Sequence, residues 1–327
     1  MKLRTAIAGT LGAVGLTAAA NRILQSRAGD LDSPLDGTTR TYRWRGFDVA
    51  YTEAGDPEDP DLLLLHGINA SGSSHEFRGV FDELAEDYHV LAPDLPGFGR
   101  SDRPPLMYSG SLYTTFVEDF ATDLTDDATV IGSSHAGGYA AVAAQSVDFE
   151  ELLLVCPTTE GIPGTRPLVR SLVRTPLLGE ALFNLATNER AIRYFNADHG
   201  YYDPEKVTDE LVEYQWQTAH QPGARFAAAS FFGGFLDLDV DLGEVLADVD
   251  EPVTLVWGRQ ATVSPLDDGK DIAAAADAQL VVFDESDVQP HVEHPDQFVR
   301  QVVRGADVGA TTIEIESVGE EHEPASE

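Results

Sequence analysis

Lysine is nearly missing from this chain. Lys2, Lys206 and Lys270 are the only three in 327 residues, and with arginine they bring the basic total to 21 against 56 acidic residues. The formal net charge is −35. A sequence so poor in cations offers no basic patch to attract phosphates, which argues against nucleic acid and anionic membrane surfaces as partners. Such an excess of like charge repels itself in dilute buffer. The repulsion fades in brine, where the screening length falls to about 3 Å at roughly 1 M salt. The composition therefore predicts a salt-loving protein that loses its fold on dialysis into low salt.

Cysteine is reduced to Cys156, which excludes an internal disulfide and any cysteine-based zinc site. No His-x-x-x-His pair or carboxylate cluster has metal-ligand spacing either, so neither a metal nor another cofactor is expected. Long apolar runs are also scarce. The longest weakly apolar stretch is Thr5 to Ala20, between Lys2 and Arg4 on one side and Asn21 and Arg22 on the other. It has the layout of a signal peptide, with Ala18-Ala19-Ala20 as a cleavable site, but it is shorter than the roughly 20 residues that span a bilayer. Residues 1–37 are thus read as an export-like or anchor-like segment with a linker, with a plain terminal helix as the alternative. The protein is expected to be cytoplasmic or membrane-associated through that segment alone, with export left open.

What the chain does contain is a 43% hydrophobic composition and a regular alternation. From Thr41 onward, short apolar runs alternate with amphipathic stretches, the pattern of a parallel sheet with crossover helices. Strands are predicted at Phe47 to Glu53, Leu62 to Leu65, His89 to Ala92, Thr129 to Ile131, Leu152 to Val155, Val253 to Trp257 and Leu280 to Phe283. Helices fit at Phe77 to Ala85, Leu112 to Leu124, Ala136 to Ser146, Pro265 to Ala275 and Pro295 to Arg304. Between Pro157 and Asp250 no strand alternates with helices, and Leu177 to Ala186, Glu189 to Phe195 and Lys206 to His220 all read as helical. The expected organisation is an α/β core over residues 38–156 and 251–304, a helical lid over 157–250, and an acidic tail over 305–327.

The strongest chemical signal is Val130-Ile131-Gly132-Ser133-Ser134-His135-Ala136-Gly137-Gly138, which follows a predicted strand and opens a predicted helix. A sharp strand-to-helix turn holds its central residue in a strained conformation and needs small residues two places before and after it. Gly132 and Ala136 meet that need around Ser134. Around Ser133 the same places fall to Ile131 and His135, which are too large.

Two further motifs end earlier strands: Leu65-His66-Gly67-Ile68, and Asp94-Leu95-Pro96-Gly97-Phe98-Gly99-Arg100-Ser101-Asp102-Arg103-Pro104. With the elbow they make the sequence, from about Tyr42 to Arg304, resemble the α/β-hydrolase superfamily, in the branch with a helical lid. The resemblance implies a mostly parallel central sheet with helices on both faces. It casts Ser134 as nucleophile and the backbone amides of Ile68 and His135 as the oxyanion hole. His66 falls where the family shapes a loop.

In that family an acid and then a histidine follow the serine. The acid position lies in Trp257-Gly258-Arg259-Gln260-Ala261-Thr262-Val263-Ser264-Pro265, and Ala261 occupies it. The base position, with its register set by Pro290, Glu293, Pro295 and Phe298, is occupied by Val288. His291 is the nearest histidine and the candidate substitute base. His135, Asp284 and Asp287 are weaker candidates, because an aspartate near pKa 4 is a poor base for a serine hydroxyl. Glu160 could replace the acid but reads as an exposed loop charge, and Asp267 and Asp268 read as helix-start carboxylates. Phe183, Tyr194, Phe195, Tyr201, Tyr202, Tyr214, Trp216, Phe231 and Phe232 supply the lid with aromatic surface for its own core or for an apolar pocket. Two functions remain open: a serine hydrolase of a small ester-like substrate with a degraded triad, or a non-catalytic protein that keeps the pocket for an apolar ligand or partner.

Overall fold

The computed structural model describes residues 2–305 and 313–316. One sheet of nine strands organises the chain, in the order β1-β2-β4-β3-β5-β6-β7-β8-β9. The strands are β1 (Thr38–Trp44), β2 (Phe47–Ala54), β3 (Asp61–Leu65), β4 (His89–Pro93), β5 (Thr129–Ser133), β6 (Glu151–Val155), β7 (Val253–Gly258), β8 (Gln279–Phe283) and β9 (Ile313–Glu316). Strands β3 to β8 pair in parallel, while β1, β2 and β9 add antiparallel margins. The reversal of strand order around β3 is a topological switch point, and the crevice of such a sheet opens at the strands' carboxyl ends.

The apolar runs exist because the parallel strands are covered on both faces. Successive side chains alternate between faces, so Leu63, Leu65, Val130, Leu152, Leu154 and Leu255 enter one core while Leu62, Leu64, Ile131, Leu153 and Val155 enter the other. All of these side chains are buried.

The helices are α1 (Lys2–Ala28), α2 (Phe81–Leu84), α3 (Gly110–Leu124), α4 (His135–Ala143), α5 (Pro167–Arg174), α6 (Leu178–Ala186), α7 (Glu189–His199), α8 (Asp209–Ala219), α9 (Arg225–Phe232), α10 (Leu242–Ala247), α11 (Leu266–Ala276), α12 (Pro290–Glu293) and α13 (Pro295–Phe298). Side-chain caps start several of them where the chain leaves extended backbone. Ser109 accepts from Leu112 N before α3, Asn188 from Arg190 N and Ala191 N before α7, and Thr208 from Leu211 N before α8.

Four expectations need correction. The helix expected over 77–85 is a 3₁₀ turn, Ser74–Gly79, followed by the four residues of α2. The helix expected over 295–304 is α13 continued by a π turn at Val299–Val303. Within the expected acidic tail, Ile313–Glu316 forms β9 against β8; the rest of 306–327 lies outside the described residues. Within the expected lid, Leu242, Val245 and Leu246 of α10 join the main core, so the covering helices end before α10.

The segment expected to be export-like forms one helix, α1, and no helix of the described residues is long and apolar enough to cross a membrane. Its C-terminal half is fastened to the covering helices. Asn21 Nδ2 donates to Leu177 O at 3.1 Å, Asn184 Nδ2 donates to Asn21 Oδ1 at 3.2 Å, and Arg27 lies over the Trp216 ring at 4.4 Å.

Candidate active site

Ser134 sits between β5 and α4 with φ 53° and ψ −125°, a left-handed conformation that a side chain with a Cβ rarely adopts. The surroundings impose it. Ser134 N donates to Val155 O at 2.9 Å, and Ser134 O accepts from Thr158 N at 3.2 Å. Both tie the turn to the end of β6. A Cβ on Gly132 would stand 2.8 Å from Gly137 Cα, so the turn closes only around glycine there.

The loop after β3 lies directly against this turn. A Cβ on Gly67 would meet Ser133 Oγ at 3.2 Å, Glu76 Oε2 at 3.3 Å and Ser134 Cβ at 3.7 Å. His66 fixes the loop from below. Its Nδ1–H donates to Gly67 O at 2.8 Å, and its Nε2 accepts from Leu95 N at 2.9 Å. Those two bonds define the tautomer, and burial holds the ring's pKa below the ordinary histidine value. Asp94 braces the neighbouring loop by accepting from Ser74 N at 2.7 Å and from Arg100 Nε at 2.7 Å.

Ile68 follows Gly67 in the same loop, and His135 follows Ser134 directly. His135 opens α4, where helix amides have no intrahelical acceptor. Among the described residues neither amide has a hydrogen-bond partner, and none reaches Ser134 Oγ.

Glu76, which no motif marks, organises the loop after β3. Its Oε2 accepts from Gly67 N at 2.8 Å and its Oε1 from His291 Nε2 at 3.0 Å. Burial works to raise this carboxyl, but hydrogen bonding and charge from His291, with a further bond from Ser133, hold it below the ordinary glutamate value. His291 is thus placed at Glu76 and not at Ser134. It is fully buried, close to Phe77 and Phe298, and its Nδ1 has no partner.

A second imidazole–carboxylate pair joins α4 to the segment after α9. His135 Nε2 is 3.3 Å from Asp237 Oδ1, which also accepts from Gly161 N at 3.0 Å. His135 Nδ1 is buried without a partner, and Phe231 stands edge-on to the ring at 6.0 Å. Phe231 is the expected lid aromatic that reaches the elbow. Phe183, Tyr201 and Trp216 are buried among lid residues, while Tyr194, Phe195 and Tyr202 are exposed.

The loops carrying Ala261 and Val288 do meet. Thr262 N donates to Asp287 Oδ1 at 3.1 Å, and Thr262 Oγ1 is 3.3 Å from Asp287 Oδ2. Ala261 is buried, and Val288 packs against the same core cluster. Burial pushes the Asp287 carboxyl above its ordinary value despite the Thr262 bonds. Glu293 joins this corner to the lid, accepting from Asp287 N and Ser286 Oγ on one oxygen and from Tyr202 N and Asp203 N on the other.

Asp284 is held by Arg259, Glu160 is exposed, and Asp267 and Asp268 lie in the first turn of α11. Burial drives the Cys156 thiol up to about 12, which leaves it no thiolate near neutral pH. No group of three or more His, Cys, Asp or Glu among the described residues could hold a metal ion. Arg103 escaped sequence reasoning because it lies inside a family motif. Its Nε and Nη2 are buried without partners, and burial lowers its pKa to about 10. Asp94, Tyr108, Tyr214 and Asp102 lie close enough to act on it electrostatically.

The sequence profile described as "Alpha/beta hydrolase family" matches residues 62–301. A pimeloyl-[acyl-carrier protein] methyl ester esterase of Aeromonas salmonicida is 30% identical over 76% of this chain and 95% of its own length. A 2-hydroxy-6-oxo-6-phenylhexa-2,4-dienoate hydrolase of Burkholderia cepacia is 28% identical over 78% of this chain and 89% of its own. Among solved structures, a bacterial membrane phospholipase A superposes with a TM-score of 0.65 at 22% identity, covering 93% of this chain and 96% of that one.

Proposed function

We propose that this chain, which belongs to the α/β-hydrolase family, is a serine hydrolase of a small ester-like substrate that works with a degraded triad. The observation that carries the reading is Ser134 itself. Its left-handed backbone is maintained at a cost of order 1–3 kcal/mol, beside two amides without partners. In the proposed reaction Ser134 Oγ attacks the ester carbonyl, and the amides of Ile68 and His135 receive the charge that develops on its oxygen. The acyl group passes to the serine as the alcohol leaves, and water then releases the acid. With Ala261 and Val288 at the acid and base positions, proton removal from Ser134 is the slow part. Loss of a triad member leaves only about 10³ to 10⁴ over the uncatalysed rate.

Two imidazoles each keep one nitrogen unpartnered beside a carboxylate-bound one, His135 with Asp237 and His291 with Glu76. His135 is next to the nucleophile in sequence. His291 is engaged at the oxyanion loop.

A second reading has its own support. The closed, apolar corner at Ala261 and Val288 suits a protein that binds an apolar ligand or partner without turning it over. One experiment separates the two. In strong KCl, the protein is treated with a fluorophosphonate probe and a short nitrophenyl ester. Labelling of Ser134, with ester turnover that falls in Ser134→Ala, is expected. Absence of both would leave the binding reading.

A further inference from the structure

The net charge of −35 hides a strong local asymmetry. Residues 1–29 and 161–179 contain no Asp or Glu, although about eight would fall there at the chain's average density. The same stretches hold seven of the 21 basic residues: Lys2, Arg4, Arg22, Arg27, Arg166, Arg170 and Arg174. The expectation that no surface could face anionic lipid came from the total charge and missed this clustering.

Apolar side chains face solvent within these stretches and on α6 just beyond the second of them, past Glu180. Helix α5 buries no residue, and its Leu168 is 84% exposed, with Val169 and Leu172 exposed beside it. Helix α6 carries Leu178, Leu182 and Leu185 at helical spacing, all exposed, the last at 70%. Helix α1 adds Leu16, 75% exposed, and Ile23.

These helices adjoin one another. A Cβ on Gly179 of α6 would stand 2.5 Å from Leu172 O of α5, and Gln25 Nε2 of α1 donates to Glu180 Oε1 of α6 at 2.6 Å. Two cations of α5 pack on aromatic rings, Arg170 over Phe235 at 3.3 Å and Arg174 over Phe226 at 5.1 Å, the latter also donating to Leu106 O at 2.6 Å and Pro105 O at 2.7 Å. Exposed apolar surface on this scale marks an interaction site, and leucines interspersed with arginines, as along α5, match the chemistry of a lipid headgroup boundary.

We infer that α1, α5 and α6 together form a monotopic membrane-binding face, which lies on an anionic bilayer with its leucines in the acyl boundary and its arginines against lipid phosphates. The face lies on the membrane and does not cross it, consistent with the length and polarity of α1. The acidic remainder is repelled by the same surface, which fixes the orientation. This inference does not depend on the chemistry at Ser134.

The test is flotation of the full-length protein with vesicles of phosphatidylcholine alone or mixed equally with phosphatidylglycerol, at a salt concentration where circular dichroism shows it folded. Binding to the mixed vesicles is expected, with weaker binding to phosphatidylcholine and a difference that narrows as KCl screens the arginines. Leu168→Ser/Leu182→Ser/Leu185→Ser should lower binding to both vesicles tenfold or more with an unchanged melting curve, since all three side chains are exposed. Arg166→Gln/Arg170→Gln should lower it on the anionic vesicles alone. The inference is overturned if the protein floats with neither vesicle, or if the leucine variant binds as the parent does. It is also overturned if the parent ignores vesicles and is a dimer by light scattering while the leucine variant is a monomer, because the face would then belong to a second copy of the chain.

Discussion

The two halves of the crevice are built in opposite ways. On the elbow half, a strained serine, two unpartnered amides and the buried Glu76–His291 pair make a polar arrangement that a folded chain maintains only at a cost. On the other half, Ala261 and Val288 fill their positions with apolar groups, and Asp287 turns its carboxylate onto Thr262. The elbow half keeps the backbone geometry that the proposed reaction would use for an oxyanion, and the other half places apolar residues where that proposal would need an acid and a base. The difference teaches that the two parts of such a site are separable: binding and charge stabilisation rest on backbone geometry, whereas proton transfer rests on two replaceable side chains.

Breaking the polar half should have the largest effect. Glu76→Ala leaves His291 and Gly67 N unpaired in the interior, and a loss of about 3–5 kcal/mol in urea-unfolding stability is expected. An unchanged stability would mean that the elbow half is not held by this pair. Rebuilding the other half comes next. Ala261→Asp with Val288→His should raise kcat/KM on a nitrophenyl ester by about 100-fold, or about 2.7 kcal/mol, if only the acid and base are missing. No gain would show that the corner is closed by more than two substitutions.

His75, beside the oxyanion loop and stacked on Tyr214 at 4.5 Å, gives the polar half a pH signature. Burial first, and then the charge of Arg78, lowers its pKa from 6.5 to about 3. Its neutral form is therefore the folded one. The stability it contributes is complete above pH 6.5 and is lost as pH falls toward 3, because the unfolded chain takes up the proton earlier. Unfolding measured from pH 7 to 5 should lose about 2 kcal/mol through this group, and His75→Phe should flatten that slope. The smallest effect is expected in the apolar corner, where Val288→Ala removes partly buried methyls and should cost about 1 kcal/mol with no change in turnover. A large change in turnover there would give Val288 a part in the chemistry.

Much of the framework was legible because the parallel strands are mainly apolar, most plainly in Leu62 to Leu65, and lie between turn residues. β1 was not, because Thr38 to Arg43 is polar and mostly exposed, and the strand is held by pairing with β2 instead of by burial. The helix expected at 77–85 was divided because Phe77 and Phe81 anchor two separate turns on the sheet. At the site, the elbow could be read from its small residues, whose spacing is dictated by backbone contact. Glu76 and Asp237 could not, because each meets its histidine across more than 100 residues and nothing local marks either carboxylate. His291 was visible as a histidine, but its partner, which decides what it does, was not.

The fastening of α1 also bears on how the chain is made. The helix is synthesised before its partners, since its Asn21 is matched by Leu177 and Asn184, which follow 156 and 163 residues later. At roughly 5–20 residues per second, the helix waits on the order of 10 seconds or more with its apolar residues uncovered. Contacts of such long sequence separation also close late, because the chain entropy they consume is recovered only once the intervening sheet has formed. During biogenesis α1 is therefore free over that interval to meet a chaperone or a lipid surface before it docks on α6.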